Sequence, residues 1–350
     1  MRLKTSELDF HLSGFEIPQH PRPLDQHKLL VYNKKSDSVQ HTMFKDIEHQ
    51  LKPGDLLVFN NSKVMSASVF LDAGKFILFI EPLLKTLTNV RVICPFKPKV
   101  GESFKLDEYV EIILKYHEPG WDVYHADIID RSNKYKSLQQ FLSDKAKIPM
   151  PIYLKRIPTN DDEKDLQNYY AKNTGSISTP VAGLHFDNNL VERLKEKGVH
   201  TAEITLHVGY GTFRSFKTEY VDEHKMDKEW YCIEADAMKE IVRAKKRGSK
   251  VIGVGTTGVR VLESLGRRED FWKLDEVNET LAGETDIFIY PPYEFKVVDG
   301  LITNFQFPRL PVLTMAAAFT GVERLKEIYE EAVDKKYKFY SFGDALLFID

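Results

Sequence analysis

The sequence predicts an α/β core, a mostly parallel sheet with flanking helices, interrupted by an inserted antiparallel β-barrel. Three observations predict it. Helix-like and strand-like segments alternate from about residue 188 to 264, a pattern that buries a largely parallel sheet beneath helices. Between residues 64 and 130 the texture changes to short β-type runs with no helix among them. After a brief helix, the prolines of IPMPIYLKRIP keep the chain extended, as a return crossing between domains requires. The expected division is a core of residues 1–63 and 148–350 around a barrel of residues 64–147.

In chain order, MFKDIEHQL (43–51) spaces its apolar side chains like a short helix, and KPGD turns the chain into LLVFN, a buried-strand pattern. SASVFL, KFILFIE, VRVICPF, ESFKL, YVEIIL and WDVYHADII follow as strands, and closure on themselves as a barrel removes their exposed edges. SLQQFLSDKA reads as a helix, and so does NNLVERLKEKG, with a C-terminal glycine. HTAEITLHV is a strand, EADAMKEIVRAKKRG a helix, KVIGVG a strand, and a helix runs through VRVLESL. ETDIFIYPPYEFKVVDGLITNFQFP (284–308) gives two β-type runs around a Pro-Pro turn, with Asp286, Asp299 and Asn304 at their borders.

Composition narrows the function classes. With 350 residues, 42% of them hydrophobic, the chain can bury one large core or two ordinary ones. A net charge of -3 supplies no global positive field for nucleic acid, which leaves only a local basic patch. Cys94 and Cys232 are too few for a disulfide framework and form no CxxC pair, in keeping with a reducing compartment. The opening MRLKTSELDFHLSGF lacks the apolar core of a signal peptide, and the apolar stretch Val312 to Val322 is too short to span a bilayer. A soluble, cytoplasmic protein with no membrane partner is expected.

Several stretches carry possible chemistry. TPVAGLHF (179–186) sets Pro180, Gly183 and His185 in an apolar run, either a plain strand end or part of a reaction site. KVIGVGTTGVRVLES (250–264) puts Gly255, Thr256, Thr257 and Gly258 at a strand-to-helix turn. That is an ordinary βα turn, or a seat for a carboxylate or phosphate on which the Arg260 guanidinium can fork. In ITLHVGYGTF (204–213), His207 ends a strand before Gly209 and Gly211, where backbone can approach a ligand closely; a strand-end histidine is also a common structural residue. His185, His207 and His224 lack the short paired spacing of zinc ligands, so no metal is expected. The basic clusters Lys145, Lys147, Lys155, Arg156 and Lys239, Arg243, Lys245, Lys246, Arg247 read as solvated faces, either of which can track an RNA backbone.

Taken together, KPGDLLVFNNSKV, IPMPIY, GSISTPVAGLHF, ITLHVGYGTF, HKMDKEWY, VGTTGVRVLES, TDIFIYP, LITNFQFP and YKFYSFGDALL resemble the S-adenosylmethionine:tRNA ribosyltransferase-isomerases of queuosine biosynthesis over nearly the whole chain. The resemblance implies that S-adenosylmethionine, as substrate and with no further cofactor, donates its ribosyl part to the aminomethyl group of a 7-deazaguanine in the tRNA anticodon. Adenine and methionine leave, and epoxyqueuosine is formed. Such a site must hold a sulfonium, remove a proton made acidic by it and keep an amine neutral. On that logic His185, His207, Glu229 and Asp286 are the candidate catalytic residues. Pro180, Gly183, Gly209, Gly211, Thr256, Thr257, Arg260, Asn304 and Asp344 are the candidate substrate-binding residues, in a protein expected to be monomeric.

This chain departs from the family pattern at several positions. Lys63 and Ser68 stand where the family has arginines, Asp227 and Gln306 where it has histidines, Gly258 for a serine, Pro292 for a glycine, and Leu310-Pro311 for Ser-Thr. Glutamine keeps hydrogen bonding but shuttles no proton near neutral pH. Two alternatives therefore stay open on sequence alone: an adenosyl-ligand enzyme with another acceptor, and a non-catalytic RNA-binding relative.

Overall fold

Nine strands form one mixed sheet in the order Leu281–Thr285, Glu229–Ile233, His200–Leu206, Leu56–Asn60, Val251–Val254, Gly300–Asn304, Ala345–Ile349, Lys28–Asn33 and Ser38–Met43. The computed structural model describes residues 2–71, 74–81, 83–154 and 156–350, with the side chains of Ile152, Thr212 and Phe213 left aside. These divide into two compact units. One comprises Met1–Ser62, Gln167–Asn173 and Pro180–Asp350, the other Lys63–Leu166 and Thr174–Thr179.

The expected mostly parallel sheet holds only in part. The neighbours from His200–Leu206 through Gly300–Asn304 are parallel, as are Ala345–Ile349 and Lys28–Asn33. The other junctions are antiparallel. The cause lies in the connections, because parallel neighbours need a long crossover, whereas a hairpin such as Lys28–Asn33 with Ser38–Met43 needs only a turn. Helices Asn188–Glu196, Ala235–Lys246 and Thr256–Gly266 fall between successive strands of the parallel part.

Local signals set the helix starts. The Asp187 side chain accepts the Leu190 N–H at the head of Asn188–Glu196, and Gly255, at φ +87°, caps Thr256–Gly266. The core packs Leu57, Phe59, Ile252, Val254 and Leu347 of the sheet against Phe44, Phe186, Leu190 and Leu194. The 43–51 segment is a 3-10 helix, Phe44–Gln50, in place of an α-helix. Residues 286–290 form no strand, so the first of the two β-type runs expected in 284–308 is lost beyond Thr285. The Val312 to Val322 stretch lies mostly in helix Pro311–Thr320, with proline in its first turn, and is broken at Gly321 before helix Val322–Asp334. Among the described residues no helix is long and apolar enough to cross a membrane.

This topology positions the site. The C-terminal ends of the four parallel central strands share one sheet edge, where ligands of open α/β sheets commonly bind. Antiparallel neighbours bring further residues there, since Glu229 lies opposite Thr285 and Asn304 opposite Ala345.

The second unit holds an antiparallel sheet in the order Ser68–Phe70, Phe76–Phe79, Val90–Ile93, Val123–Asp130, Val110–His117 and Ser103–Lys105. A strand forms within each of the six β-type runs of the sequence. Ile77, Phe79, Val92, Ile112, Leu114 and Ala126 pack with Leu138, Phe141 and Leu142 of helix Leu138–Lys145, whose N-cap Ser137 accepts the Gln140 N–H. The proline-rich return contains a 3-10 turn, Ile152–Leu154, and is not extended throughout.

Candidate active site

Asn60, at the end of the strand Leu56–Asn60, ties three strand ends together. Its Oδ1 accepts the N–H groups of Leu206 and Ser62, at 3.0 and 3.1 Å. Its Nδ2 donates to Leu206 O and to Thr257 Oγ1, at 3.0 and 3.1 Å. Fully buried and with both ends of its amide engaged, Asn60 fixes the spacing between His207 on one side and the helix start Gly255–Thr257 on the other. Sequence reasoning passed over it, although the doubled asparagine after a buried strand was a usable signal.

His207 follows directly. Its Nδ1 lies 2.8 Å from Ser62 Oγ, its backbone N–H donates to Trp230 O, and its ring stacks on Trp230 at 5.1 Å and 21°. Burial pushes its pKa down, so the half-buried ring is neutral near pH 7.

Glu229 and Arg260 form a buried ion pair. Glu229 Oε1 also accepts the Gly209 N–H at 2.7 Å, and Arg260 donates through Nε and Nη2 to the carbonyls of Ile287 and Thr285, each at 3.2 Å. The free anion fork suggested by the sequence is thus not what the fold presents, because each guanidinium nitrogen already has an acceptor. Arg260 still borders a small cleft with Thr256, Thr257, Met226, Phe288 and Met315. Its walls are two thioethers, the Phe288 ring and aliphatic side chains such as Ile287, Ile289 and Val312, with threonine hydroxyls at a helix N-terminus.

His185 has a different setting. It is 1% exposed, ends the 3-10 turn Val181–His185 and stacks on Phe44. Its Nδ1 lies 2.8 Å from the Nδ1 of His27, a residue outside the sequence expectations. Burial pushes His27 down to about 4 and His185 well below its ordinary value, with His27 adding to the second effect. Both rings are therefore neutral, and one proton serves the contact between them. Nearby motif residues are also enclosed. Asp344, fully buried, accepts from Arg22 at 2.6 Å, Lys28 N at 2.9 Å and Lys338 N at 2.7 Å. Asn304 Nδ2 donates to Tyr340 O at 2.8 Å, and Pro180 O accepts from Asn168 Nδ2.

Two glycines owe their place to packing with protein, where sequence suggested close approach to a ligand. A Cβ on Gly183 would stand 1.9 Å from Tyr170 Oη and 2.6 Å from Asn168 Oδ1. One on Gly211 would stand 2.7 Å from Asp227 Oδ2. Asp227 pairs with Arg214 at 3.0 Å. Asp286 is exposed just past the strand end at Thr285.

Of the basic clusters, Lys245 and Lys246 are paired with Asp299 and Asp275, Arg247 with Glu240, Lys145 with Asp107 and Arg156 with Asp162. Lys155 lies outside the described residues. No group of three or more His, Cys, Asp or Glu that could hold a metal ion occurs among the described residues.

A family model described as "Queuosine biosynthesis protein" matches residues 5–348. The chain is 39% identical over 356 residues to the S-adenosylmethionine:tRNA ribosyltransferase-isomerase of Thermotoga petrophila, covering 99% of this chain and 100% of the relative. It is 36% identical over 355 residues to the protein of the same name from Sulfurihydrogenibium sp., again covering 99% and 100%. The crystal structure of S-adenosylmethionine tRNA ribosyltransferase from Thermotoga maritima matches with a TM-score of 0.55 at 31% identity, covering 98% of this chain and 100% of that one. The chain belongs to the queuosine biosynthesis protein family, that of the S-adenosylmethionine:tRNA ribosyltransferase-isomerases.

Proposed function

We propose that this protein transfers the ribosyl moiety of S-adenosylmethionine to 7-aminomethyl-7-deazaguanine in the anticodon region of tRNA. Epoxyqueuosine forms, and adenine and methionine are released. The observation that carries the reading is the gathering of His207, Glu229 with Arg260, and Thr256 with Thr257 at the shared edge of the parallel strands, beside a cleft lined by Met226, Phe288 and Met315.

The methionine part of the substrate suits that cleft. Its carboxylate would meet the helix start at Thr256 and Thr257, whose N–H groups and dipole favour an anion. The sulfonium makes a neighbouring C–H acidic, and His207, neutral and partly exposed, is the proton acceptor. Asp286 offers negative charge toward the cationic substrate. Glu229 acts with Arg260 by holding the Gly209 backbone in place. His185, Asn304, Asp344 and Pro180 frame the edge from inside the protein, with Gly183 and Gly211 making room for Tyr170 and Asp227.

The same reading makes residues 64–147 an inserted barrel domain in a core of residues 1–63 and 148–350. The enzyme works as a cytoplasmic monomer without metal or further cofactor.

The test is to incubate the protein with S-adenosylmethionine and tRNA carrying 7-aminomethyl-7-deazaguanine, then digest the tRNA and identify its nucleosides by mass spectrometry. Epoxyqueuosine, with adenine and methionine released in equal amount, is the expected result. Folded protein that makes none, beside an active relative, would move the assignment to another acceptor.

A further inference from the structure

The strand Glu229–Ile233 reverses the usual alternation. Glu229, a carboxylate, points inward at 4% exposed, and Tyr231 is buried at 7%, whereas Trp230 between them is 43% exposed. A large indole left in solvent on a sheet otherwise well packed loses the burial that normally stabilises it. The cause is local. The inward position is taken by the ion pair with Arg260, so the register of the strand forces the aromatic ring outward.

The exposed ring is also held in a fixed orientation. His207 stacks on it at 5.1 Å and 21°, and His207 is itself fixed by Ser62 Oγ and by its backbone bond to Trp230 O. Across the strand pair Trp230 faces Glu284, which is engaged with Lys228 at 3.6 Å. Two rigid, nearly parallel rings at the edge of the sheet offer an aromatic face at little entropic cost.

We infer that Trp230, backed by His207, is a stacking platform for an unpaired base of the tRNA acceptor. The inference rests on the proposed function for the identity of that RNA. Sequence-tolerant stacking on an aromatic ring is a common way for proteins to hold a base outside a helix. Adenine of the donor substrate is the other planar ring present. A small-molecule site, however, buries most of its ligand, whereas a ring as open as Trp230 suits a base presented by a large partner. The platform makes Trp230 a positioning residue: it places the acceptor strand and takes no part in proton transfer.

The experiment compares wild type, Trp230→Ala and Trp230→Phe. It measures tRNA affinity by filter retention without donor, KM for tRNA and for S-adenosylmethionine separately, and thermal melting. Trp230→Ala should weaken tRNA binding roughly 5- to 150-fold, the range for one base stacked on an aromatic ring, with KM for S-adenosylmethionine unchanged. Trp230→Phe should restore most of the loss. The difference in tryptophan emission between wild type and Trp230→Phe on adding tRNA gives a second reading that does not require the alanine variant to fold. It should show quenching of Trp230 beyond that of Trp121 and Trp272.

Unchanged tRNA affinity with no quenching overturns the inference, and so does a loss confined to S-adenosylmethionine, which would assign the ring to adenine. Wild type that binds tRNA without forming product would count against the proposed reaction alone, because the platform is judged on binding.

Discussion

His185 and His207 stand in similar sequence settings, each two residues from a glycine in an apolar run, and both belong to the unit that holds the large sheet. The fold treats them oppositely. His185 is enclosed, stacked on Phe44 and joined to His27, and its ring faces no solvent. His207 bonds a serine hydroxyl through one nitrogen, lies on an exposed indole and keeps part of its ring accessible. Residue type and glycine spacing identify the neighbourhood of a site; burial and partners separate the group that reacts from the group that frames it.

The comparison breaks most readily at the two histidines themselves. His207→Ala should lower turnover about 10²- to 10⁴-fold, the usual weight of a general base, with little change in melting temperature. His185→Ala should leave His27 Nδ1 buried without a partner and lower stability by about 1–3 kcal/mol. Turnover at saturating substrate and urea unfolding, measured on both variants, decide it. If His185→Ala instead keeps its stability and loses its turnover, the two roles are exchanged.

A smaller effect sharpens the enclosed side. In Gly183→Ala the new methyl would collide with the Tyr170 hydroxyl, and overpacking of this kind costs about 1–3 kcal/mol. Tyr170 Oη is buried with no hydrogen-bond partner among the described residues, so Tyr170→Phe removes the nearer obstacle and leaves no new unsatisfied group behind, while Asn168 Oδ1 still stands 2.6 Å from the new Cβ. Urea unfolding of both single variants and the double variant should show the double variant regaining part of the loss, with the remainder due to Asn168. Additive losses would mean that Gly183 is required for another reason.

How far the sequence could be read follows the same division between local and distant causes. The alternation of residues 188–264 and the six runs of the smaller sheet are periodic signals carried within each segment, and strands and helices form there. The sheet order is a different matter. Ala345–Ile349 enters between Gly300–Asn304 and Lys28–Asn33, a pairing across more than 300 residues on one side, with no local mark in the sequence. Antiparallel margins were therefore missed. At the site, His207 was visible as a strand-end histidine and Gly255–Thr257 as a strand-to-helix turn, whereas Glu229 entered only through the family resemblance. Arg260 was visible too, but its engagement with Glu229 was not, because the two lie 31 positions apart. Trp230 stayed hidden because its exposure follows from the inward turn of Glu229, which is knowable only once the register is known.

The last expected effect concerns acid. His27 is held down to about 4 by burial first and by Arg22 second, with Asp344 pulling the other way, and His185 lies well below the ordinary 6.5. In the unfolded chain both protonate near 6.5, so below that pH the unfolded state binds protons that the folded state refuses. Stability should be complete above about pH 6.5 and decline as the pH falls toward 4. His27→Asn removes one of the two groups and should flatten this decline in urea unfolding measured across that window. A decline as steep in His27→Asn as in wild type would trace the acid sensitivity to groups elsewhere. The accessible histidine should respond in rate: kcat/KM falls as His207 becomes protonated, with a midpoint below 6.5 because burial lowers its pKa. Stability and rate then fail on acidification for separate reasons, and the His27 substitution should flatten the first curve while leaving the midpoint of the second in place.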